Sequence, residues 1–424
     1  MTQALRVGCI ADDFTGATDL ANNLVKAGMR VVQLNGVPSK PLNLQADAVV
    51  IALKSRTIAA QAAVEQSLQA LKWLQSQGTR QIYFKVCSTF DSTVQGNIGP
   101  VTEALMQALH TDFCIATPAF PDNGRTVFKG HLFVGDVLLS ESGMQHHPLT
   151  PMTDSNLVRV MQAQCKQSVG LVDYRHVMAG APAIRAEFAR QRGLGHKIAI
   201  VDALSNEDLM RLGSALADMT LIVAGSGVAI GLPQNHGIAP SSQASELPKA
   251  QGACAIISGS CSAATNAQVK AFIAQGLPAF ALDPASMASG EDVVSKARAW
   301  ALEHVGDRPV LIYSTAQPDA VKSIQSKLGV TEAGAMVEHA LASIAKELVQ
   351  TGVGQLIVAG GETSGACVQA LGVEQMQIGP QIDPGVPWCY ARSHLPELKS
   401  IHLALKSGNF GSDDFFTKAF TLLP

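Results

Sequence analysis

Several features that define large protein classes are missing from this sequence of 424 residues. Its eight cysteines form no C-x-x-C pair and lie mostly in apolar runs, which disfavours a zinc site and predicts reduced, buried thiols. No apolar run reaches the ~18 residues that a membrane helix needs. Acidic and basic residues nearly balance, at 34 and 31, so a protein that coats nucleic acid is disfavoured as well.

Aromatic and charged residues are scarce, at 5% and 15%, whereas hydrophobic residues make up 47% of the chain and glycines number 37. Such a chain can bury large cores, which excludes global disorder and suits an α/β enzyme better than a β-sandwich. Its length exceeds what one core usually serves, so we expect two domains. The beginning, MTQALRVGCIADD, reaches two aspartates too early for a signal peptide, and we expect a cytoplasmic protein.

Apolar runs alternate with helical patterns in the first half of the chain, which predicts a parallel sheet covered by helices on both faces. The predicted strands are 6–10, 30–34, 48–53, 81–86, 113–117, 169–172, 197–201 and 221–224, and the predicted helices are 15–27, 59–77, 99–110 and 206–217.

Residues 231–252 are rich in Pro, Ser, Gly and Gln, which predicts a linker. The alternation then resumes, with strands predicted at 253–258, 278–282, 310–313, 355–359 and 401–405, and two helices within 317–351. We therefore predict two domains, 1–230 and 253–424, each a mainly parallel sheet flanked by helices. The active site is expected in the cleft between them.

Polar side chains follow four strands of the first predicted sheet, and parallel strands bring such loops to one edge. Hydroxyls, acids and an amide suit a polyhydroxylated ligand, and Arg125, expected on a glycine-turned loop, suits a carboxylate. The alternatives are a helix cap with a solvated acid, a Ser/Thr-rich helix entry and a surface arginine. The candidate residues are Asp12, Asp13, Ser55, Arg56, Lys85, Asp91, Ser92, Thr93, Asn97 and Arg125.

Three loops of small residues follow strands of the second predicted sheet. Small residues in each loop allow an anion to approach backbone N–H groups. Two of the loops lead into a helix, and a lysine lies beside the third. Together these features predict a nucleotide-phosphate site. The residues are Ser258, Gly259, Ser260, Gly360, Gly361, Glu362, Thr363, Lys406, Ser407 and Gly408.

Familiar nucleotide signatures are absent, since the sequence contains no G-x-x-x-x-G-K-[ST] segment and no protein-kinase HRD and DFG elements. The loop 225–231 resembles a dinucleotide-binding loop, but no second strand ending in an acid follows it. An NAD(P)-dependent sugar-acid dehydrogenase and a non-enzymatic sugar-acid sensor stay open as alternatives.

Seven segments of the sequence together resemble the four-carbon acid sugar kinase family, and they span essentially the whole chain. In order they are IADDFTGATDLANNL, FDSTVQGNIG, ATPAFPDNGRTVFKGHLFV, GSCSAAT, GGETSGA, IDPGVPW and LKSGNFG. The resemblance implies an N-terminal domain for the sugar acid and a C-terminal domain for ATP. It further implies transfer of the ATP γ-phosphoryl group to the terminal hydroxyl of a four-carbon sugar acid.

The segment KVCSTFDSTVQGNIGP is similar to the branch of that family that acts on 3-oxo-tetronate. Relatives that act on threonate or erythronate instead carry a KKIDST segment followed by an arginine–glycine pair. The resemblance therefore implies phosphorylation of 3-oxo-tetronate at its 4-hydroxyl, with D-threonate or D-erythronate as the alternative substrates.

Phosphoryl transfer needs positioning, charge neutralisation and a group that receives the hydroxyl proton. Arg56 or Arg125 would hold the carboxylate, and one aspartate among the three candidates would accept the proton, with a preference for Asp12. Mg²⁺ is expected with ATP, held largely by phosphates and water, with Glu362 as a candidate ligand.

Three apolar helical patterns fit either a core or a homodimer surface.

Overall fold

The computed structural model describes residues 5–147, 150–306, 308–314 and 330–423. The chain divides into two compact units, Met1–Ser245 and Glu246–Pro424. Both are mainly parallel sheets flanked by helices, so the predicted two-domain α/β class is confirmed. The proposed linker bounds, 231–252, stay a prediction.

The strands of the N-terminal unit lie close to the positions predicted along the chain, and three short additional strands follow residue 124. The strands are β1 Val7–Ala11, β2 Val31–Asn35, β3 Ala48–Ala52, β4 Gln81–Lys85, β5 Cys114–Thr117, β6 Arg125–Phe128, β7 His131–Val134, β8 Val137–Leu138, β9 Val169–Val172, β10 Ile198–Val201 and β11 Leu221–Ala224. The helices are α1 Phe14–Lys26, α2 Ala60–Ser76, α3 Ile98–Ala108, α4 Leu157–Gln162, α5 Tyr174–Met178, α6 Ala181–Gly193 and α7 Asn206–Ala215.

The main sheet of this unit is parallel, in the order β2-β3-β1-β4-β11-β5-β10-β9. β1 lies between β3 and β4, and all five of its residues are buried. An apolar strand of this kind, without alternation, is typical of a sheet covered on both faces. The strand order places the polar ends of β3, β1 and β4 next to one another.

A separate antiparallel sheet, β6-β7-β8, corrects the expectation that Arg125 lies on a loop, because Arg125 is the first residue of β6. The glycine turn before it is present, since Gly124 has a φ of 66°. The turn that follows β6 is held by Asp202, whose carboxylate accepts hydrogen bonds from the N–H groups of Lys129 and Gly130, at 2.7 and 2.8 Å. The hairpin is therefore fixed at both ends.

The C-terminal unit orders its strands β13-β14-β12-β15-β18-β17-β16. The strands are β12 Ala253–Ser258, β13 Ala279–Ala281, β14 Val310–Tyr313, β15 Val353–Ala359, β16 Val373–Asp383, β17 Val386–Ser393 and β18 Ile401–Lys406. The helices are α8 Ala263–Ala274, α9 Pro284–Ala288, α10 Val293–His304, α11 Val330–Gln350, α12 Gly361–Ala370 and α13 Phe415–Lys418. Of the helical pattern predicted over 317–351, residues 317–329 lie outside the described part, and the rest forms α11.

The first five strands of this order are parallel, whereas β17 runs antiparallel to both β18 and β16. The β16–β17 hairpin was not predicted, although Met376 and Ile378 are buried and Gln377 between them is partly exposed, which is a period-two strand signal. Trp388 on β17 packs into the core of the unit and donates its indole N–H to the carbonyl of Ala419, at 2.8 Å. The hairpin therefore anchors the end of the chain.

Among the described residues, no helix is both long and apolar enough to cross a membrane.

Candidate active site

The polar residues predicted in the first half lie along one edge of the main sheet. Ala11, the last residue of β1, pairs in register with Ala52 of β3 and with Lys85 of β4. Lys85 also pairs with Ala224, which pairs in turn with Thr117 of β5. Because these strands are parallel and end level with one another, the residues that follow them are neighbours.

Arg56 joins the loop after β3 to both aspartates that follow β1. Its Nε and Nη2 atoms donate to the two carboxylate oxygens of Asp12, each at 2.9 Å, and Nη2 also donates to Asp13 at 2.6 Å. Asp12 and Asp13 are 8% and 23% exposed at the side chain, so this pairing is shielded from water. A two-pronged pair of this kind fixes the orientation of Asp12 before any ligand binds.

Asp13 caps α1, because its carboxylate accepts hydrogen bonds from the Gly16 N–H at 3.0 Å and from the Thr15 hydroxyl at 2.9 Å. Burial raises the pKa of Asp13, but the charges of Arg56 and Lys85 and these two hydrogen bonds outweigh it and bring the pKa below its usual value. Asp13 is therefore an ionised cap in this site.

Lys85 ends β4 as a buried side chain beside the start of α1. Its Nζ donates to the carbonyl of Val86 at 2.7 Å. A Cβ on Gly16 would lie only 2.7 Å from Nζ, so the glycine makes room for the ammonium group. Lys85 thus brings a positive charge to the base of the aspartate cluster.

Asp91 is held within its own loop. Its carboxylate accepts a hydrogen bond from the Thr89 hydroxyl at 2.6 Å and one from the Cys87 thiol at 3.0 Å. Burial and the charge of Asp91 raise the pKa of the Cys87 thiol to about 11, so the thiol stays protonated and acts as a donor. The loop also contains Phe90 at a φ of 53°, an uncommon conformation for a bulky residue.

The amide of Asn97 ties the helix α3 to the loop that carries Arg56. Its Nδ2 donates to the carbonyls of Ser55, Arg56 and Ile58, at 2.7, 3.1 and 3.0 Å. This amide nitrogen, predicted to bind ligand hydroxyls, is thus used to fix the arginine loop. Ser92 donates to Gln164 at 2.8 Å, and Thr93 beside it is partly exposed.

Arg125 differs from Arg56 in having no carboxylate within ion-pair distance among the described residues. One of its Nη atoms donates to the carbonyl of Asn123, and its buried Nε has no hydrogen-bond partner in the described part of the chain. Burial lowers the pKa of Arg125, an effect that Cys87, Asp91 and Asp19 oppose. Of the two arginines, Arg125 is the one that is not already paired with an acid.

Sequence reasoning missed Asp19, a buried acid on α1. One of its oxygens accepts a hydrogen bond from the Ser226 hydroxyl, and the other has no partner among the described residues. Burial raises the pKa of Asp19 to about 6, against the opposing effect of Lys85 and Ser226. The residue lies on the inner face of α1, where the motif IADDFTGATD gave no signal beyond its acidic type.

The loop 225–231, which resembled a dinucleotide-binding loop, is packed against the protein. Residues Gly227–Gly231 form a 3₁₀ helix, and a Cβ on Gly227 would clash with the carbonyl of Ala119. The Tyr83 hydroxyl donates to the carbonyl of Gly225, and Ser226 holds Asp19. These glycines serve close packing, which argues against the dehydrogenase alternative.

The three small-residue loops of the C-terminal unit also lie side by side. Ser258 at the end of β12 pairs with Ala359 of β15, which pairs with Lys406 at the end of β18. Gly259 lies against Thr363, where a Cβ would clash with the threonine hydroxyl. The carboxyl ends of adjacent parallel strands thus bring the loops together.

The helix α12 begins with an N-terminus that no side chain caps. Gly360 before it has a φ of 122°, and no atom lies within 4 Å of where a Cβ on Gly361 would be. In contrast, Ser262 caps α8 by accepting from the Thr265 N–H at 3.2 Å. Uncapped N–H groups beside open space are the usual setting for a bound phosphate.

Lys406 is fully buried, and its ammonium group contacts several acceptors. Nζ donates to the Thr265 hydroxyl at 2.9 Å and lies within 3.2 Å of the carbonyls of Ser407, Gly408 and Phe410. Burial lowers the pKa of Lys406 to about 7. This geometry favours Lys406 as a support for the 407–410 loop over a direct contact with phosphate.

Neighbouring side chains stabilise the same loop. Gly408 leaves room for Ser260, since a Cβ there would clash with the serine hydroxyl. Asp383, at the turn of the β16–β17 hairpin, accepts from the Ser412 N–H at 2.9 Å and pairs with Lys418 at 2.5 Å. The motif IDPGVPW therefore supports the third loop.

No group of three or more His, Cys, Asp or Glu side chains that could hold a metal ion occurs within the described ranges. Glu362 lies exposed in the first turn of α12.

Family models match both units of the chain. Residues 7–232 match a sugar-binding N-terminal domain, and residues 255–416 match a nucleotide-binding C-terminal domain. A Pseudomonas fluorescens protein named 3-oxo-tetronate kinase is 57% identical over 418 residues, which cover 97% of this chain and 96% of that protein. A Burkholderia multivorans protein of the same name is 56% identical over 98% of this chain and 97% of its own length.

Solved structures resemble this chain over nearly its whole length. A Salmonella typhimurium LT2 protein, described as a putative tRNA synthase, matches with a TM-score of 0.88 and 45% identity, covering 99% of this chain and 100% of that protein. A Haemophilus influenzae protein matches with a TM-score of 0.79 and 46% identity, covering 98% and 99%.

A sugar-binding unit joined to a nucleotide-binding unit defines the class of small-molecule kinases, which are phosphotransferases with an alcohol acceptor. The family models and the curated relatives together extend over nearly the whole sequence. The chain belongs to the four-carbon acid sugar kinase family.

Asp19 makes the free energy of unfolding depend on pH. Its folded-state pKa, about 6, lies above the usual 3.8, so the stability that its proton contributes is present below about pH 4 and is lost as the pH rises through 6. Asp19→Asn should therefore be more stable than wild type at pH 7.5, by up to about 3 kcal/mol, with no such gain at pH 4. Urea unfolding at both pH values measures this.

Ser226→Ala serves as the control, because it removes the one hydrogen bond to the Asp19 carboxylate. It should enlarge the stability loss between pH 4 and 7.5 when Asp19 is present and have no such effect in Asp19→Asn. Equal stability of wild type and Asp19→Asn at pH 7.5 would contradict the assignment.

Proposed function

We propose that this kinase transfers the γ-phosphoryl group of ATP to the 4-hydroxyl of 3-oxo-tetronate. The observation that carries the proposal is the near full-length identity, 57% and 56%, to two proteins named 3-oxo-tetronate kinase. The segment KVCSTFDSTVQGNIGP supports the same substrate, because it builds the loop around Asp91 that resembles this branch of the family.

In the sugar-acid site, Arg125 binds the carboxylate, since its guanidinium is not paired with an acid. Arg56 acts on the aspartates, and its two hydrogen bonds to Asp12 orient that carboxylate. Lys85 offsets the negative charge that gathers among ligand, phosphate and aspartates. Ser55, Ser92, Thr93 and Asn97 shape the surrounding loops and offer hydroxyl and amide oxygens to the sugar.

Asp12 accepts the proton of the 4-hydroxyl as it attacks the γ-phosphorus. Asp13 is less suited, because it caps α1 and its pKa is lowered. Asp91 already accepts from Cys87 and Thr89, which suits it to recognise a hydroxyl of the sugar acid. The three aspartates thereby take separate roles.

The ATP phosphates bind at the N-terminus of α12, whose N-cap residue, Gly360, offers no side chain to cap the helix. Ser258, Gly259, Gly360 and Gly408 belong to the loops around this N-terminus, where Gly259 leaves room for Thr363 and Gly408 for Ser260. Ser260, Ser407 and Lys406 support the same loops.

Mg²⁺ is expected to accompany ATP, and it would supply positive charge to the phosphoryl group that is transferred. An ion held mainly by phosphates and water would need few protein ligands. Glu362, beside the proposed phosphate site, is the candidate protein ligand.

The eight unpaired cysteines support a cytoplasmic location, and a homodimer stays a prediction.

A coupled ADP-release assay tests the substrate. We expect the highest kcat/KM with 3-oxo-tetronate and at least ~10-fold lower values with D-threonate and D-erythronate, because a carbonyl and a hydroxyl at C3 place different demands on hydrogen-bond partners. Omission of Mg²⁺ in the presence of a chelator is the control for the metal. Preference for either aldonate would move the enzyme to another branch of the family.

Gly361→Val should raise the KM for ATP by ~10-fold or more, because the branched side chain fills the space that phosphate needs. The fold should survive, since no atom lies within 4 Å of the added Cβ. Gly193→Val is the matched control: Gly193 ends α6 with the same open surroundings, and ATP kinetics should not change. An unaltered KM for ATP in Gly361→Val would remove this helix from the nucleotide site.

Asp12→Asn keeps the shape of the side chain and removes its basicity, so kcat should fall by ~10²–10⁴ while the KM for ATP stays near wild type. Asp13→Asn is the matched control, because asparagine caps a helix as well as aspartate does and only the charge is lost. Single-turnover kinetics measures the chemical step in both. A larger loss of kcat in Asp13→Asn, or in Asp91→Asn, would reassign the proton acceptor.

A further inference from the structure

Two hydrogen-bond donors in the turn between β5 and β6 have no acceptor among the described residues. They are Nδ2 of Asn123 and Nε of Arg125, and both atoms are closed to solvent. A buried donor without a partner costs about 1–3 kcal/mol, and most such groups in proteins are satisfied. Two of them, two residues apart, indicate a place where a ligand supplies acceptors.

The backbone of this turn is fixed by its own hydrogen bonds. The Asn123 N–H donates to the carbonyl of Phe120 at 3.0 Å, and Phe120 and Arg125 exchange two further backbone hydrogen bonds, at 2.8 and 3.0 Å. One Nη atom of Arg125 donates to the carbonyl of Asn123. The backbone from which the two side chains extend is therefore fixed before a ligand arrives.

The charge of this turn is also incompletely balanced. Arg125 is partly buried, and no carboxylate lies within ion-pair distance of it in the part of the chain that the structure describes. A guanidinium removed from water needs an anion with matching acceptors, and a carboxylate provides two oxygens on one planar group. The neutral amide of Asn123 adds a second donor without adding a second charge.

We propose that Asn123 and Arg125 together form the clamp for the carboxylate of the sugar acid, so that Asn123 is a specificity-determining residue of this kinase. Arg125 supplies the charge and a hydrogen bond from Nε, and Asn123 supplies a hydrogen bond from Nδ2. The inference rests on the proposed function, in which the acceptor substrate is a four-carbon acid. It assigns to Asn123 the discrimination between that acid and a neutral sugar of the same skeleton.

The test compares 3-oxo-tetronate with erythrulose, the four-carbon ketose in which CH₂OH replaces the carboxylate. Asn123→Ala and Arg125→Lys should each raise the KM for 3-oxo-tetronate by ~10-fold or more, while kcat and the KM for ATP stay near wild type. Their preference for the acid over erythrulose should fall by the same factor. The double variant should lose less than the product of the two single effects, because both residues bind one carboxylate.

Asp122→Asn is the matched control, because Asp122 lies exposed in the same turn and its carboxylate accepts a hydrogen bond from Asn206. Its kinetics with both substrates should match wild type. An Asn123→Ala variant with an unchanged KM for 3-oxo-tetronate overturns the clamp. An equal loss with 3-oxo-tetronate and erythrulose also overturns it, because Asn123 would then contact a group that the two molecules share.

Failure of the proposed function gives a different result, namely no ADP from wild-type enzyme with 3-oxo-tetronate. The clamp is then measured by the rise in Tm that 3-oxo-tetronate or D-threonate causes without nucleotide. A rise in wild type that is lost in Asn123→Ala supports the clamp. An equal rise in both proteins, or none in wild type, overturns it.

Discussion

The pairing of Arg56 with Asp12 and Asp13 is the interaction on which the rest of the sugar-acid unit depends. It connects the loops after β1 and β3, which are close only because the two strands are parallel neighbours. Two acids and one arginine in a shielded place would be costly if any member were absent, since an unpaired buried charge is strongly unfavourable. Each of the three charges is therefore stabilised by the other two. Asn97 supports this arrangement, because its amide donates to the loop that carries Arg56.

The C-terminal unit meets its constraint in another way. One helix, α12, begins without a side-chain cap, whereas side chains stabilise the neighbouring loops. Ser262 caps α8, and the Lys406 ammonium group donates to the carbonyl of Gly408 in its loop. The Asp383 carboxylate accepts a hydrogen bond from the Ser412 N–H. The helix α12 begins after Gly360 without a side-chain cap, and its first turn is where we propose that the phosphates bind.

Much of this arrangement could be predicted from the sequence, because a parallel sheet delivers the ends of its strands to one edge. Asp12, Arg56 and Lys85 could be grouped on that ground alone, and the register shows that β1 is the parallel neighbour of both β3 and β4. The residue types alone could not show which contacts each of these side chains makes. Arg56 and Arg125 are equivalent in a sequence, and only the contacts show that the first is paired with acids and the second is not.

Other features were out of reach for definite reasons. Asp19 lies inside a helix that looked ordinarily amphipathic, and its partner Ser226 is more than two hundred residues away. The β16–β17 hairpin is antiparallel in a unit whose other strands suggested only parallel pairing. Lys406 resembled a phosphate ligand by its place beside a glycine loop, whereas its side chain is buried beneath that loop.

The antiparallel hairpin β6–β7 belongs to a small sheet that is separate from the main sheet of the sugar-acid unit. Asp202 accepts hydrogen bonds from the turn between β6 and β7, and backbone hydrogen bonds fix the turn at Asn123, just before β6. Among the described residues, neither turn is linked by a hydrogen bond to Arg56, Asp12 or Asp13. In the proposed roles, recognition of the acid by Arg125 and activation of the hydroxyl by Asp12 thus belong to separate pieces of backbone. Under these proposed roles, substitutions in one short hairpin would alter which acid is accepted and would leave the groups proposed to perform the transfer undisturbed.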